Sequence, residues 1–172
     1  KQLLEYRLQA LDDALELLSL KPGLDFSIQD VPDKLYVYAS RGRDFSVAAQ
    51  ASETSTLFVE LLPISNYARI VDTAQFSNAE PEINPSYVSA IPASEEWRLG
   101  DYDPTHVHRL NLGKCLVYHR SLTREESVRK ESFAPMLEWL TGHGYRMRGK
   151  MLILPALSTM TANFWTIPKI IL

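Results

Sequence analysis

Leucines in the first twenty residues recur at alternating spacings of four and three, with charged and polar residues between them. This spacing is typical of the contact face of a coiled coil, and Lys21-Pro22-Gly23 ends the predicted helix. An amphipathic helix packed on its own domain is the alternative interpretation. The leucines of the predicted dimer contact are Leu4, Leu8, Leu11, Leu15 and Leu18.

Farther along the chain, short runs of apolar, β-branched and aromatic residues indicate strands. The predicted strands cover residues 25–30, 34–38, 68–76, 86–92, 106–110, 114–118, 149–154 and 163–172. Two helices are predicted between them, roughly 46–62 and 123–141, ended by Pro63 and by Gly142 and Gly144. Thr123 and Glu126 have the spacing of a capping box at the start of the second helix.

The chain after the leading helix reads as a doubled pattern. The run Lys34-Leu35-Tyr36-Val37-Tyr38 matches Lys114-Cys115-Leu116-Val117-Tyr118 at an offset of 80 residues, since 114 − 34 = 80. Each half therefore reads as β-β-α-β-β, over about 25–93 and 104–172. We expect an α+β fold in which two duplicated units form one curved antiparallel sheet, with both helices on one face and a groove on the other, preceded by a coiled-coil helix over 1–21.

Composition and charge narrow the functions that this fold could serve. The 172 residues carry a net charge of −3, which is unfavourable for direct binding of nucleic-acid phosphates. The single cysteine, Cys115, excludes a disulfide within the chain, and neither a membrane-spanning run nor a secretory signal is recognisable. We therefore expect a cytoplasmic protein. Because Lys1 already lies in the predicted helix, we expect this chain to be a segment of a longer protein.

Two pairs of residues suggest chemistry but lack what that chemistry requires. His106 and His108 alternate onto one strand face, yet no cysteine or carboxylate accompanies them at a recognised metal-site spacing. Cys115 and His119 lie four apart on a strand, roughly 13 Å, which is too far for a nucleophile and its base. We predict no metal, no cofactor and no catalytic residue.

The order of the motifs resembles that of a known family. The features are Leu116-Val117-Tyr118-His119-Arg120 before the second helix, Leu137-Glu138-Trp139-Leu140 and Gly144-Tyr145 at its exit, Gly149 before a strand, and Ile167-Pro168 in the last strand. In this order, residues 25–172 resemble the effector-binding domain of MerR-family transcription regulators, a member of the GyrI-like superfamily. The resemblance implies a small-molecule sensor in a homodimer joined through residues 1–20. DNA would be bound only by a helix-turn-helix domain that precedes this chain.

The resemblance places the effector in the groove. Alternation along residues 35–40 directs Tyr36 and Tyr38 to the groove and Leu35 and Val37 to the helix, and the same reasoning directs Leu116, Tyr118 and Arg120 to the groove. An ordinary core or sheet-surface position is the alternative for each tyrosine. The predicted aromatic wall consists of Tyr36, Tyr38, Tyr87, Trp97, Tyr118 and Phe164.

The charge of the effector depends on where an acid lies. Relatives that bind lipophilic cations use a buried carboxylate, but the family's glutamate in the last strand falls on Phe164 and residues 151–154 contain no acid. Glu95 and Glu96, in the acidic loop 94–105, could replace it, or this loop is a solvated linker. We expect an aromatic or lipophilic effector. The alternatives are a GyrI-like hydrolase that uses Glu95 or Glu96 and a stand-alone small-molecule-binding protein.

Overall fold

The computed structural model describes residues 4–5, 8, 26–40, 49–61, 64–118, 120, 122–123, 125–154 and 169–171. In these residues the chain forms an α+β fold, which confirms the predicted class. Its elements are β1 (Ser27–Val31), β2 (Lys34–Ser40), α1 (Ala49–Glu60), β3 (Asn66–Asp72), β4 (Ser86–Pro92), β5 (His108–Leu110), β6 (Gly113–Val117), α2 (Ala134–Gly142), β7 (Lys150–Ile153) and β8 (Lys169–Ile171). Short 3₁₀ helices cover Thr73–Ser77, Ala93–Leu99, Pro104–His106, Glu126–Val128 and Lys130–Phe133.

The strands pair antiparallel in one sheet of order β1-β6-β8-β7-β3-β4-β2-β5. β1 begins this order and β2 stands next to its other end, although only Pro32 and Asp33 separate them in the chain. β5 and β6 are likewise joined through two residues. The sheet is therefore curled into a half-barrel, because such short connections bring its two ends together.

The pairing across these junctions is continuous. Val31 faces Gly113, and three residues farther along one strand and three residues back along the other Lys34 faces Leu110. The segment 27–40 thus pairs with the segment 108–117 as one bent ribbon. The strand order is symmetric: if β1–β4 and β5–β8 exchange places one by one, the same order is obtained, read from the opposite end. The first strand of each half, β1 or β5, therefore pairs with a strand of the other half.

Both helices cover the same face of the sheet. Ile91 lies beneath α1, and Tyr87 shares its face because side chains alternate along a strand. Tyr87 pairs with Arg69, and Arg69 pairs with Ile153, which lies beneath α2. We call this face, which carries α1 and α2, the helix face, and the opposite one the concave face.

Each helix has an apolar cluster of its own. The cluster beneath α1 contains Leu35, Val37, Phe58, Ile91 and Leu99. The cluster beneath α2 contains Val71, Ile83, Leu116, Tyr118, Leu122, Phe133, Met136, Leu140, Met151 and Ile153. Burial of these side chains is the main source of stability on the helix face.

The second helix is shorter than predicted. The capping box forms, with Thr123 N donating to Glu126 Oε2 at 2.8 Å and Glu126 N donating to Thr123 Oγ1 at 3.2 Å, but it caps a 3₁₀ turn. Pro135 has no N–H to donate to Glu131 and its ring clashes with that carbonyl, so a helix cannot run continuously through it. The α-helix therefore begins at Ala134, and the prediction of one helix over 123–141 was wrong.

The leading helix is described only in part. Leu4 and Leu8 are helical, and 65% and 59% of their surfaces are exposed. Leu11, Leu15 and Leu18 lie outside the described residues, so the coiled coil over 1–21 and the homodimer stay predictions. In the described part of the chain, no helix is long and apolar enough to cross a membrane.

Candidate functional site

The concave face carries one continuous apolar cluster, in contrast to the two on the helix face. Its members come from seven strands and from the loop before β6: Val31, Tyr36, Ala68, Ile70, Val88, Ala90, Leu110, Leu112, Cys115, Val117 and Leu152. A group of four aromatic and basic side chains overlaps this cluster, because Tyr36 belongs to both. We call it the tyrosine–lysine cluster, and it consists of Tyr36 and Tyr38 of β2, His108 of β5 and Lys150 of β7.

Lys150 is in direct contact with Tyr36. Its Nζ donates a hydrogen bond to the Tyr36 hydroxyl at 2.7 Å and lies 5.3 Å from the centroid of the same ring. β7 and β2 have β3 and β4 between them, so in a flat sheet their backbones would lie roughly 14 Å apart. The curl of the sheet brings the two side chains together above the intervening strands.

The three aromatic rings of the cluster contact one another. The Tyr36 ring meets the Tyr38 ring edge to face, with centroids 5.5 Å apart. The His108 ring lies 5.2 Å from Tyr36 and 5.1 Å from Tyr38, because His108 and Tyr36 pair directly between β5 and β2. Tyr36 is buried, whereas Tyr38, His108 and Lys150 are half-buried. The half-buried side chains are therefore the ones that a ligand can reach.

Burial and the contact between them set the charges of Tyr36 and Lys150. Burial raises the pKa of Tyr36 above its ordinary value, although the hydrogen bond from Lys150 acts in the opposite direction. Burial alone would lower the pKa of Lys150, but its hydrogen bond to Tyr36 and the charges of Tyr36 and Tyr38 raise it overall. At neutral pH the pair is therefore an ammonium and a neutral phenol.

The predicted alternation along β2 is confirmed. Leu35 and Val37 pack beneath α1, whereas Tyr36 and Tyr38 lie on the concave face. The two tyrosines were predicted to face the groove, and the structure places them on that side of the sheet.

The predicted orientation of Leu116 and Tyr118 was wrong. Both lie on the helix face beneath α2, and the Tyr118 ring packs 5.1 Å from the ring of Phe26. Leu35 and Leu116 both lie on the helix face. Cys115, which the offset of 80 matches to Leu35, lies on the concave face. A slip of one residue moves every side chain to the opposite face. The offset of 80 therefore does not match residues that lie on the same face.

Arg120 and Tyr87 do not join the tyrosine–lysine cluster. The half-buried guanidinium of Arg120 donates to the backbone carbonyl of Ser132, in the 3₁₀ turn before α2. Tyr87 lies on the helix face and pairs with Arg69 of β3. Phe164 lies outside the described residues.

The acidic loop lies on the helix side of the sheet and not over the groove, where Glu95 or Glu96 could have replaced the missing acid. Leu99 and Tyr102 of this loop pack in the cluster beneath α1. Trp97 is 65% exposed. Its ring has the Arg98 guanidinium 4.3 Å above its centroid.

Both glutamates of this loop have partners within the loop or on β5. Glu95 accepts from Arg98 Nε at 2.5 Å, while Glu96 accepts from the Tyr102 hydroxyl at 2.6 Å and from Arg109 at 3.3 Å. Neither can serve as an acid on the concave face in this arrangement.

Lys150 was not among the predicted site residues, and His108 was considered only as a metal ligand. His106 lies 3.8 Å from Asp103, and among the described residues no group of three or more His, Cys, Asp or Glu could hold a metal ion. Alternation does place Lys150 on the face of Leu152. Its contact with Tyr36, 114 residues away, depends on the curl, which no local pattern reveals.

No protein-family model and no curated protein matches this sequence. Three crystal structures from Listeria innocua share the fold. One is of an uncharacterized conserved protein, with 14% identity, a TM-score of 0.54, and coverage of 91% of this chain and 96% of the other. Two are of hydrolases, with 12% and 13% identity, TM-scores of 0.55 and 0.50, and coverage of 91% of this chain and 94% and 95% of theirs. At this identity the similarity shows the fold alone.

Proposed function

We propose that this chain is a small-molecule-binding domain and that the ligand lies on the concave face beside the tyrosine–lysine cluster. The observation that carries the proposal is the meeting of polar and aromatic side chains from β2, β5 and β7 at an apolar concave surface. Ligand sites are commonly apolar surfaces with a few convergent polar groups. The interchangeable halves of the strand order support a duplicated β-β-α-β-β unit of the GyrI-like type.

We further propose that this domain is the sensor of a MerR-type transcription regulator. The effector would shift the population between two geometries of a homodimer joined through residues 1–20, and a preceding helix-turn-helix domain would bind DNA. Support comes from the leucine spacing and from the exposure of Leu4 and Leu8, which leaves their side chains available to a partner helix.

Ligand binding is tested by thermal melting of the protein with a panel of aromatic and lipophilic compounds. We expect at least one compound to raise the melting temperature of the wild type and not that of Tyr38→Ala, since Tyr38 is half-buried on the concave face. The control is Tyr67→Ala in β3, whose side chain is 53% exposed on the helix face. Equal responses of both variants to every compound would refute a concave-face site.

The sensor role is tested by sedimentation of the protein that carries the leading helix. Leu8→Asp with Leu11→Asp should convert dimers to monomers, because two charges on the contact face of a coiled coil oppose association. A Gln9→Asp variant is the matched control, since residue 9 lies between the leucines. A double variant that stayed dimeric would remove the main support for the MerR assignment, and a monomeric wild type would favour a stand-alone binding protein.

A hydrolase is the second candidate, because two proteins of similar fold are named hydrolases. Glu95 and Glu96 are poor candidates for its acid, since both bind arginines on the helix side. His108 is the imidazole of the tyrosine–lysine cluster, and its ring lies 5.2 Å from that of Tyr36. Turnover of p-nitrophenyl acetate that is lost in His108→Ala but kept in His143→Ala would favour the hydrolase.

A further inference from the structure

We infer that the ligand of the proposed site is an aromatic anion, with its carboxylate held by Lys150 and its ring lying against Tyr38 and His108. This inference rests on the proposed function, because it names the ligand class of the same site. It narrows the expected aromatic or lipophilic effector to an anion, in contrast to the lipophilic cations that some members of the resembled family bind.

The tyrosine–lysine cluster already contains a cation. The Lys150 ammonium lies 5.3 Å from the centroid of the Tyr36 ring, a distance typical of a cation–π contact. Tyr36 in turn packs against Tyr38 and His108. An organic cation at the same rings would meet the charge of Lys150, and like charges at short range repel strongly where water is partly excluded. The protein's own lysine therefore disfavours a cationic ligand.

The contacts of Lys150 within the described residues do not neutralise its charge. Among the described residues, the polar contacts of Lys150 are the hydroxyls of Tyr36 and Tyr38. Asp72 is the carboxylate nearest in the pairing, since it faces Lys150 between β3 and β7. Asp72 is exposed and its Oδ1 accepts from Ala74 N at 2.9 Å, as the cap of a 3₁₀ helix. A half-buried ammonium that contacts hydroxyls and no carboxylate among the described residues favours an anion, because desolvation makes an uncompensated charge costly.

The Lys150 ammonium has the capacity to donate one further hydrogen bond to a ligand. An ammonium has three N–H donors and no acceptor, and the two tyrosine hydroxyls account for two of these donors. The remaining donor can bind a carboxylate oxygen, and a charge-assisted hydrogen bond of this kind is about twice as strong as a neutral one. The half-buried rings of Tyr38 and His108 beside it offer surfaces for an aromatic body.

The test uses three probes of one size at neutral pH: naphthalene-2-carboxylate, naphthalene-2-carboxamide and 2-naphthylmethylammonium. Calorimetry should show the carboxylate binding at least about tenfold more tightly than the carboxamide, and the ammonium binding most weakly. Lys150→Met, which keeps an unbranched apolar stem, should reduce the affinity for the carboxylate about tenfold and leave that for the carboxamide within about twofold.

The control is Lys114→Met, because Lys114 is exposed on β6 and lies opposite Asp30. Lys150→Arg should keep the preference for the anion, because arginine keeps the positive charge. A loss of binding in Lys150→Met alone would then be due to the lost charge and not to impaired folding. Equal affinity for carboxylate and carboxamide would overturn the anion inference while leaving a small-molecule site in place. A preference that survives in Lys150→Met would overturn the role of Lys150, and binding of none of the probes would overturn the inference as a whole.

Discussion

Strand β2 and the segment formed by β6 and Tyr118 have similar sequences, but their tyrosines lie on opposite faces of one sheet. In β2, Tyr36 and Tyr38 lie on the concave face, and the hydroxyl of Tyr36 accepts from Lys150. Directly after β6, Tyr118 is buried beneath α2, and its hydroxyl has no hydrogen-bond partner within the described residues. One residue of register separates a tyrosine that contributes to a candidate binding site from one that only fills the core.

The contrast between the Tyr36 and Tyr118 hydroxyls shows that the energetic cost of burying a polar atom depends on whether it has a hydrogen-bond partner. A buried hydroxyl without a partner loses its bonds to water and gains none, whereas one bonded to an ammonium regains that energy. The helix face therefore keeps an aromatic ring at Tyr118 for its apolar surface. The concave face uses both the ring and the hydroxyl of Tyr36.

The largest expected effect is a difference in the free energy of unfolding between variants of Tyr118 and of Tyr38. Tyr118→Ala should lower the free energy of unfolding by about 3–5 kcal/mol, because it removes a fully buried ring beneath α2. Tyr38→Ala, at a half-buried position of the concave face, should cost about 1 kcal/mol. Urea denaturation measures both values. Similar losses in the two variants would mean that the concave face is as much a structural core as the helix face.

The next effect compares the two hydroxyls alone. Tyr36→Phe should lower the free energy of unfolding by about 1–2 kcal/mol, because Lys150 loses a hydrogen-bond acceptor. Tyr118→Phe should leave it unchanged or slightly raised, since it removes a buried polar atom that lacks a described partner. The same denaturation experiment checks this contrast, and a larger loss in Tyr118→Phe would reverse the roles that we assign to the two hydroxyls.

A smaller effect depends on pH. The pKa values of both Tyr36 and Lys150 are raised in the folded protein. A raised pKa contributes stability that is complete below the ordinary pKa, about 10 for both groups, and is lost as the pH rises through the folded-state value. The free energy of unfolding of Tyr36→Phe should therefore approach that of the wild type above about pH 10.

Denaturation at pH 7 and in steps above pH 10 measures this convergence. Tyr67→Phe is the control, because Tyr67 is exposed on the helix face. A deficit of Tyr36→Phe that widened at high pH would contradict the directions of both pKa shifts.

The local part of the fold and the orientation of Tyr36 and Tyr38 could be predicted from sequence, whereas their contact with Lys150 could not. β4 was predicted over 86–92 and has these bounds, because alternation and flanking prolines are local signals. The start of α2 was missed although Pro135 is visible in the sequence, since the capping box at Thr123 was given more weight. Lys150 and Tyr36 meet only because the curl joins strands that are not neighbours. Such a contact follows from the whole sheet and not from any segment.

The smallest expected effect tests the side of the sheet that carries the acidic loop. Glu96→Gln removes a charge from a site where Tyr102 and Arg109 are its partners, and such exposed pairs contribute about 0–1 kcal/mol. We expect little change in the free energy of unfolding and, in the calorimetric titration with naphthalene-2-carboxylate, the same affinity as the wild type. Glu96 lies on the helix side with Tyr102, so its charge is remote from the concave face. A clear gain or loss of affinity would show that the loop reaches the ligand, and the separation of the two faces into structure and binding would fail.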